Sequence, residues 1–387
     1  MSNSYDAIVL GLGGVGSSAA FALAKRGCRV LGIDQFSPPH PFGSSHGETR
    51  IIRKSYFEHP AYVPLLRRAY DLWTELELRS GARLYFPTGL LEIGPADGVV
   101  IPGVLRSASE FNLPIERHTM PEAMARYPGL QGNESWTVIF EKDAGYLLVE
   151  ECVKAHLDCA TKLGATLLTQ QKVIGWDADG KGVMVRTHSN EYRADRLIVA
   201  AGPWAGALLS RIGFPLQVLH KHVYWYETKH ASYRQADGFP CFFFETPTGH
   251  FYGFPERDAL GLKIARHSGG QKVQSEIDGA HAKNQEDQVA VESFLSDNLP
   301  QTSRHLTRWS GCYYTMTPDE HFIVDTLPDI PQVTVVAGLS GHGFKFTSVL
   351  GELAADLAMS EQIPFDLSFL KLARFSNPGQ AGVKTSQ

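Results

Sequence analysis

Apolar and polar residues follow several distinct rhythms along this chain. Ala7-Ile8-Val9-Leu10 is an unbroken apolar run, the pattern of a strand buried on both faces. Gly11 to Gly16 makes a tight turn, Ser17 to Arg26 is Ala-rich and helix-prone, and Gly27 stands where a helix C-cap belongs. Arg29 to Ile33 reads as a second buried strand ending at Asp34, so the chain opens on a βαβ unit. From Tyr62 the apolar positions Leu65, Leu66, Ala69, Trp73 and Leu76 recur at helical spacing, with Pro64 near the start and Gly81 after the end.

Two later segments repeat the opening pattern. Arg196 to Gly202 reads as a buried strand followed by a helix through Trp204 and Leu209. Val333 to Gly338 reads as another, followed by Gly341-His342-Gly343 and a helix from about Phe346 to Met359. Between them the rhythm changes. Val223 to Glu227, Cys241 to Glu245, His250 to Phe254 and Gly261 to His267 are short, aromatic and β-branched, with Pro247-Thr248-Gly249 as a turn, which predicts an antiparallel sheet. The expected fold is α/β with α+β character. A Rossmann-type nucleotide domain is assembled from about 1–84, 146–215 and 318–387. A mostly antiparallel β substrate domain is inserted, from about 85–145 and 216–317.

A length of 387 residues exceeds what one core usually supports and agrees with two domains. The net charge of -5, without a run of Lys and Arg, argues against a nucleic-acid surface. No apolar stretch approaches the roughly 18 residues of a membrane span, and the N-terminus lacks a secretory pattern. The five cysteines are scattered and form no CxxC pair, as expected of reduced thiols in a cytoplasmic protein. No HExxH or comparable metal spacing occurs among the 15 histidines. Ser376 to Gln387 is polar and Gly-rich and is expected to fray.

Gly11-Leu12-Gly13-Gly14-Val15-Gly16 satisfies GxGxxG in its proper setting: after a strand, opening a helix, with an acidic residue closing the next strand. Gly11 permits the turn, Gly13 lets the backbone approach a pyrophosphate, and Gly16 lets the helix sit close to the strand. Asp34 can accept hydrogen bonds from a ribose. The pattern alone does not separate FAD from NAD, so an NAD-dependent dehydrogenase is one alternative.

Further motifs are longer. They are Gly43-Ser44-Ser45-His46-Gly47-Glu48-Thr49-Arg50-Ile51-Ile52-Arg53, then Cys312-Tyr313-Tyr314-Thr315 with Pro318 to Asp325, and Ser340-Gly341-His342-Gly343-Phe344-Lys345. Together, and in order along nearly the whole chain, they resemble the monomeric sarcosine oxidase family, which includes N-methyltryptophan oxidase and pipecolate oxidase. The resemblance implies covalent FAD, oxidation of N-alkyl amino acids and return of electrons to O2 as H2O2, in a monomer. The substrate side stays open among N-methyl amino acids such as sarcosine or N-methyltryptophan and cyclic imino acids of the pipecolate or proline type. A flavin dehydrogenase with another acceptor, or a flavin binder without turnover, is a further alternative.

The resemblance also assigns residues. Cys312 matches the cysteine that joins the flavin through a thioether; the alternative is a buried free thiol. Arg53 and Lys345 would grip the substrate carboxylate while Arg50 sits against the flavin. If the segment turns helically both guanidinium groups emerge on one side; the alternative is a salt bridge to Glu48 or Glu58. Lys263 would activate oxygen, since a fixed cation stabilises the anion formed as oxygen is reduced. His267 and Tyr252 would line the substrate pocket. Strand alternation puts 263, 265 and 267 on one face with space over Ala265. A solvated strand face for Lys263, and core packing for His267 and Tyr252, are the alternatives. The implied cofactor set is Gly11, Gly13, Gly14, Val15, Gly16, Asp34, His46, Thr49, Arg50, Val173, Gly202, Cys312, Gly341, Gly343 and Lys345. His342, between two glycines, reads as structural. Tyr224-Trp225-Tyr226 and Phe242-Phe243-Phe244 could line a pocket for a bulky side chain or alternate through the core, the second being the simpler reading.

Overall fold

The opening apolar run lies in the strand Ser4–Leu10, whose last four residues are buried, and it pairs in parallel with Val30–Ile33 and with Glu191–Val199. In the computed structural model, which describes residues 4–210, 212–274, 277 and 281–375, these strands belong to an eight-stranded sheet. Its path runs Val173–Asp179, Gly182–Thr187, Glu191–Val199, Ser4–Leu10, Val30–Ile33, Thr166–Leu168. The strand Glu191–Val199 divides its second edge: its first half pairs with Gly182–Thr187, and Leu197 to Val199 pair in parallel with Ile330–Ala337. One sheet is thus built from stretches far apart in sequence. The expected C-terminal tail lies outside the described residues.

Helices Gly14–Lys25, Val63–Ser80, Val149–Lys162 and Thr347–Met359 contribute to one apolar core on this sheet. Val63, Leu65, Leu66, Ala69, Trp73 and Leu76 form the buried stripe of the second helix, as its spacing predicts, and Gly81 closes it in the left-handed conformation.

The aromatic segments form a nine-stranded sheet, path Gln271–Lys272, Gln217–Thr228, Leu262–Arg266, Gly249–Phe254, Cys241–Thr246, Leu90–Gly94, Thr137–Glu141, Glu116–Thr119, with Thr302–Met316 along Gln217–Thr228. Its pairs are antiparallel except that Leu90–Gly94 runs parallel to Cys241–Thr246. The helix Gln285–Asn298 covers one face. Phe294 contacts the rings of Phe242, Phe244 and Phe251, and Tyr224 and Tyr226 reach Asp287 and Glu292. A third sheet of three strands joins Thr49–Ile52, Gly145–Leu148 and Tyr85–Phe86.

Two local expectations change. The helix expected after Gly202 is only a 3-10 turn, Gly202–Trp204, and one α turn, Ala205–Leu208. The segment carrying Arg50 is a strand, Thr49–Ile52, because Ile51 and Ile52 pair with Tyr146 and Gly145. β-branched residues favour that pairing over a helical turn.

Candidate active site

The glycine turn separates two jobs by geometry. A Cβ on Gly16 would lie 1.7 Å from the Gly11 carbonyl oxygen, so only glycine lets the helix Gly14–Lys25 sit on the turn. A Cβ on Gly13 would meet only Ser45, at 3.4 Å, and would otherwise project into open space. That space is a cavity of about 740 Å³. Ser45 accepts the Gly14 N–H at 3.0 Å and so fixes the turn from across the chain. Asp34 forms part of the same wall. Its two oxygens each accept a backbone N–H at 2.8 Å, from Leu12 and from Phe36. Burial raises the Asp34 carboxyl above its ordinary value while these N–H groups pull it back. The carboxylate is therefore held in place, with remaining lone pairs for a ligand hydroxyl.

Two groups of residues line the cavity. The first surrounds the turn and includes Gly11, Gly13, Gly14, Val15, Asp34, Val173, Gly202 and Trp204. The second brings together Arg50, Arg53, Glu58, Phe243, Tyr252, His267, Tyr314, Gly341, Gly343 and Lys345. Of the residues expected from sequence, Gly16, His46, Thr49, Lys263 and Cys312 are not in the wall.

Arg53 is buried and doubly paired. Nη2 donates to both Glu58 oxygens at 2.9 and 2.8 Å, and Nη1 donates to Glu92 at 3.0 Å and to the Ser55 carbonyl at 2.8 Å. The Glu58 ion pair foreseen as an alternative is thus formed, but inside the protein. Burial would raise Glu58, yet Arg53, with His342 and Lys345, holds it below its ordinary value. Lys345, on the 3-10 turn Phe344–Phe346, donates to the His342 carbonyl at 2.8 Å. Burial and the neighbouring Arg53 press its ammonium down to about 7, against the pull of Glu58 and Glu92. Glu48 is occupied elsewhere, with Arg308 and Trp225.

Arg50 donates to the carbonyls of Thr49, at 2.9 Å, and Ser44, at 3.2 Å. Lys263 does not stand on the solvated strand face that is the alternative reading. It is buried, donating to the Gly47 carbonyl and, at 2.8 and 2.9 Å, to the Thr49 carbonyl and hydroxyl, with the Phe254 ring 4.5 Å away. The reason is that Thr49–Ile52 lies over this face of the strand. His267, just past the strand, does reach the cavity. Its ring is 6.1 Å from that of Tyr252 and 5.8 Å from that of Phe243. Burial, then the neighbouring basic groups Lys221, His342, His250 and Lys345, hold the imidazole well below its ordinary value, hence neutral. Tyr252 is pushed up by burial and stays protonated. Cys312 is buried; burial raises its thiol, while Arg50, Lys221 and Lys263 pull it down. The basic neighbourhood expected of this cysteine is present.

His342 hydrogen-bonds Tyr56 through Nδ1 and the Glu320 carbonyl through Nε2, the pattern of a structural residue. Gly341 has φ of 80° and a Cβ there would strike the Tyr314 ring at 2.3 Å, so the turn is tight against Tyr314. His46 is neutral, pressed down to about 3 by burial and by Arg50, and contacts the Gly43 carbonyl. Of the aromatic triplets only Phe243 joins the wall. Sequence reasoning did not single out Ser45, Tyr314, Trp204 or Glu92. Tyr314, two residues from Cys312 on a strand, carried a readable signal; Glu92, in the apolar run Leu90 to Ile93, was visible only as a lone acid in a buried strand.

The arrangement fits a flavin dinucleotide. A helix N-terminus and a glycine turn face the cavity for phosphates, a fixed carboxylate stands beside them for a ribose, and cations with aromatic groups stand in the other group for a ring system and an anionic substrate. Among the described residues no metal-binding group of three or more His, Cys, Asp or Glu occurs, and no helix is long and apolar enough to cross a membrane.

Comparison with known proteins agrees with this geometry. The family profile described as FAD dependent oxidoreductase matches residues 6–357. Monomeric sarcosine oxidase of Bacillus sp. (strain B-0618) is 37% identical over 97% of both chains. That of Streptomyces avermitilis is 40% identical over 93% of this chain and 95% of its own. N-methyl-L-tryptophan oxidase of Citrobacter koseri is 39% identical over 96% and 99%. Among solved structures, the open form of NikD, an amino acid oxidase of nikkomycin biosynthesis, shares the fold with a TM-score of 0.84 at 24% identity, covering 95% of this chain and 97% of its own. L-proline dehydrogenase from P. horikoshii has a TM-score of 0.82 at 21% identity, covering 97% and 99%.

Proposed function

The chain belongs to the FAD dependent oxidoreductase family, and on that premise we propose that it oxidises a secondary amine carrying an α-carboxylate, of the N-methyl amino acid class, with O2 as acceptor. The observation that carries this reading is the meeting of Arg53 and Lys345 with Tyr252, His267 and Phe243 in the cavity that the dinucleotide turn opens. For an N-methyl substrate, amine and O2 yield imine and H2O2, and water then converts the imine to primary amine and formaldehyde.

FAD held against this wall would supply the acceptor for the electron pair of the substrate C–H bond and the route of that pair to oxygen. The protein supplies position and charge. Arg53 and Lys345 hold the carboxylate; an incoming anion returns the Lys345 ammonium to its charged form, since its proton is weakly held at neutral pH. Neutral His267 and protonated Tyr252 give the amine polar neighbours without adding a second cation that would oppose oxidation. Lys263 donates to three acceptors on the Gly47–Thr49 segment; burial and Arg50 press its ammonium well below its ordinary value, and a proton held there by these acceptors would favour reduction of oxygen. Cys312 would form the thioether to the flavin; burial raises its thiol, and Arg50, Lys221 and Lys263 pull it back toward the thiolate that the linkage needs. The glycine-turn sheet would constitute the FAD domain and the aromatic sheet the substrate domain, with the boundaries expected above.

We read the protein as a cytoplasmic monomer. Its five cysteines are free, and the sarcosine oxidases it resembles are named monomeric.

The test is a peroxide-coupled screen of N-methyl amino acids and cyclic imino acids with purified protein, repeated with a dye acceptor under argon. Peroxide from an N-methyl amino acid supports the reading. Turnover only of cyclic imino acids, or only with the dye, replaces it with a proline-type oxidase or a dehydrogenase.

A further inference from the structure

Beneath the cavity wall two carboxyl groups share one hydroxyl. Ser55 Oγ lies 3.2 Å from Glu92 Oε2 and also within hydrogen-bond reach of Glu141 Oε2. A serine hydroxyl has one hydrogen and can donate to only one of them. Two ionised carboxylates at one hydroxyl would leave one buried oxygen facing lone pairs, which is expensive inside a protein. A second proton is therefore required.

Its place follows from the other partners. Both Glu141 oxygens already accept backbone N–H groups, Oε1 from Lys54 at 2.7 Å and Oε2 from Ser55 at 2.8 Å, the environment of an ionised carboxylate. Glu92 is fully buried on Leu90–Gly94, and its Oε1 accepts Arg53 Nη1 at 3.0 Å, while its Oε2 faces Ser55 Oγ. We propose that Glu92 is a protonated carboxylic acid at neutral pH and serves as the positioning residue that anchors Arg53 without neutralising it. Oε2–H donates to Ser55, Ser55 donates to Glu141, and the carbonyl-like Oε1 holds Arg53 Nη1. This rests on the reading of Arg53 as the carboxylate grip and goes beyond it. With Glu92 neutral, Arg53 faces one carboxylate, Glu58, and keeps attraction for a substrate anion. With Glu92 ionised, two carboxylates compete with the substrate.

The charged groups around Glu92 are Arg53, Glu58, Glu141 and, further out, Lys345; the residues paired with it across the sheet, Phe243 and Ile139, are apolar. Burial pushes Glu92 up, Arg53 pulls it down, and Glu141 and Glu58 push it up again, to about 8. The grip should therefore loosen as pH rises through this region.

Two measurements on the holoenzyme test the proposal. Infrared difference spectra, wild type minus Glu92→Gln, should contain a protonated carboxyl C=O band at pH 7 that disappears by pH 9.5. Acetate binding, read from the perturbation of the flavin absorbance, should weaken in wild type about tenfold more between pH 7 and 9.5 than in Glu92→Gln, whose amide mimics the protonated acid. Lys345 titrates in both proteins and cancels in that comparison. Glu141→Gln, which removes a neighbouring charge, should move the wild-type band loss to lower pH. A missing band at pH 7 overturns the proposal. A band that titrates while acetate affinity stays equal in the two proteins at every pH overturns the carboxylate-grip reading of Arg53 instead, and with it the anchoring role.

Discussion

Arg53 Nη2 lies 2.9 and 2.8 Å from the two carboxylate oxygens of Glu58, in a site where the arginine side chain is only 4% exposed. An ion pair of this kind is far more costly to break than to replace whole. Arg53→Ala leaves Glu58, and beside it Glu92, without their cation. It should lower stability by about 3–5 kcal/mol in denaturant unfolding monitored by circular dichroism. A loss below about 1 kcal/mol would show that the pairing does not hold this wall together.

The glycine turn predicts opposite outcomes for two alanines. Gly16→Ala drives a methyl into the Gly11 carbonyl and should destabilise the apoprotein by about 3 kcal/mol. Gly13→Ala meets only Ser45 and should fold normally while losing FAD, because its methyl enters the cavity. Melting temperature of apoprotein and flavin content after gel filtration separate the two. Normal flavin content in Gly13→Ala would remove the pyrophosphate from this position.

Lys263 donates three hydrogen bonds to Gly47 and Thr49 and is not in the cavity wall. Lys263→Met should leave flavin reduction by substrate within a few-fold of wild type and slow reoxidation by O2 about 10²-fold, in stopped-flow traces of each half-reaction. Equal rates in both half-reactions would refute the assigned role.

Cys312 stands among Arg50, Lys221 and Lys263. Acid precipitation of wild type should carry yellow colour into the pellet, and Cys312→Ser should leave it in the supernatant. Colour in the pellet of both proteins would place the linkage elsewhere.

Several histidines are buried neutral. Burial presses His156, on Val149–Lys162, down to about 3, while the unfolded chain titrates near 6.5. A depressed histidine contributes stability that is present above the unfolded value and lost as pH falls toward the folded one, because the unfolded chain binds the proton first. Unfolding free energy should fall on acidification below about pH 6.5. His156→Phe should flatten that limb by up to about 3 kcal/mol at pH 4 relative to wild type. An unchanged acid limb would mean that His156 is solvated.

Local pattern determined much of this protein. The run Ala7 to Leu10, the glycines of the turn and Asp34 are close in sequence, and steric and hydrogen-bond rules act over that distance, so the βαβ unit was legible outright. The aromatic strands from Cys241 to His267 were legible for the same reason, as was the helix ending at Gly81. The motifs around Arg50, Cys312 and Lys345 further pointed to a flavoenzyme family. Tertiary structure alone decided which side of each strand matters. It placed Phe243 in the cavity and Phe242 and Phe244 under the helix Gln285–Asn298, and it covered Lys263 with the Thr49–Ile52 strand. It also brought Glu92, 39 residues away, onto Arg53 and set Ser55 between Glu92 and Glu141. Charges that meet across such separations leave no periodic trace, because their energies depend on burial and distance in space and not on spacing along the chain.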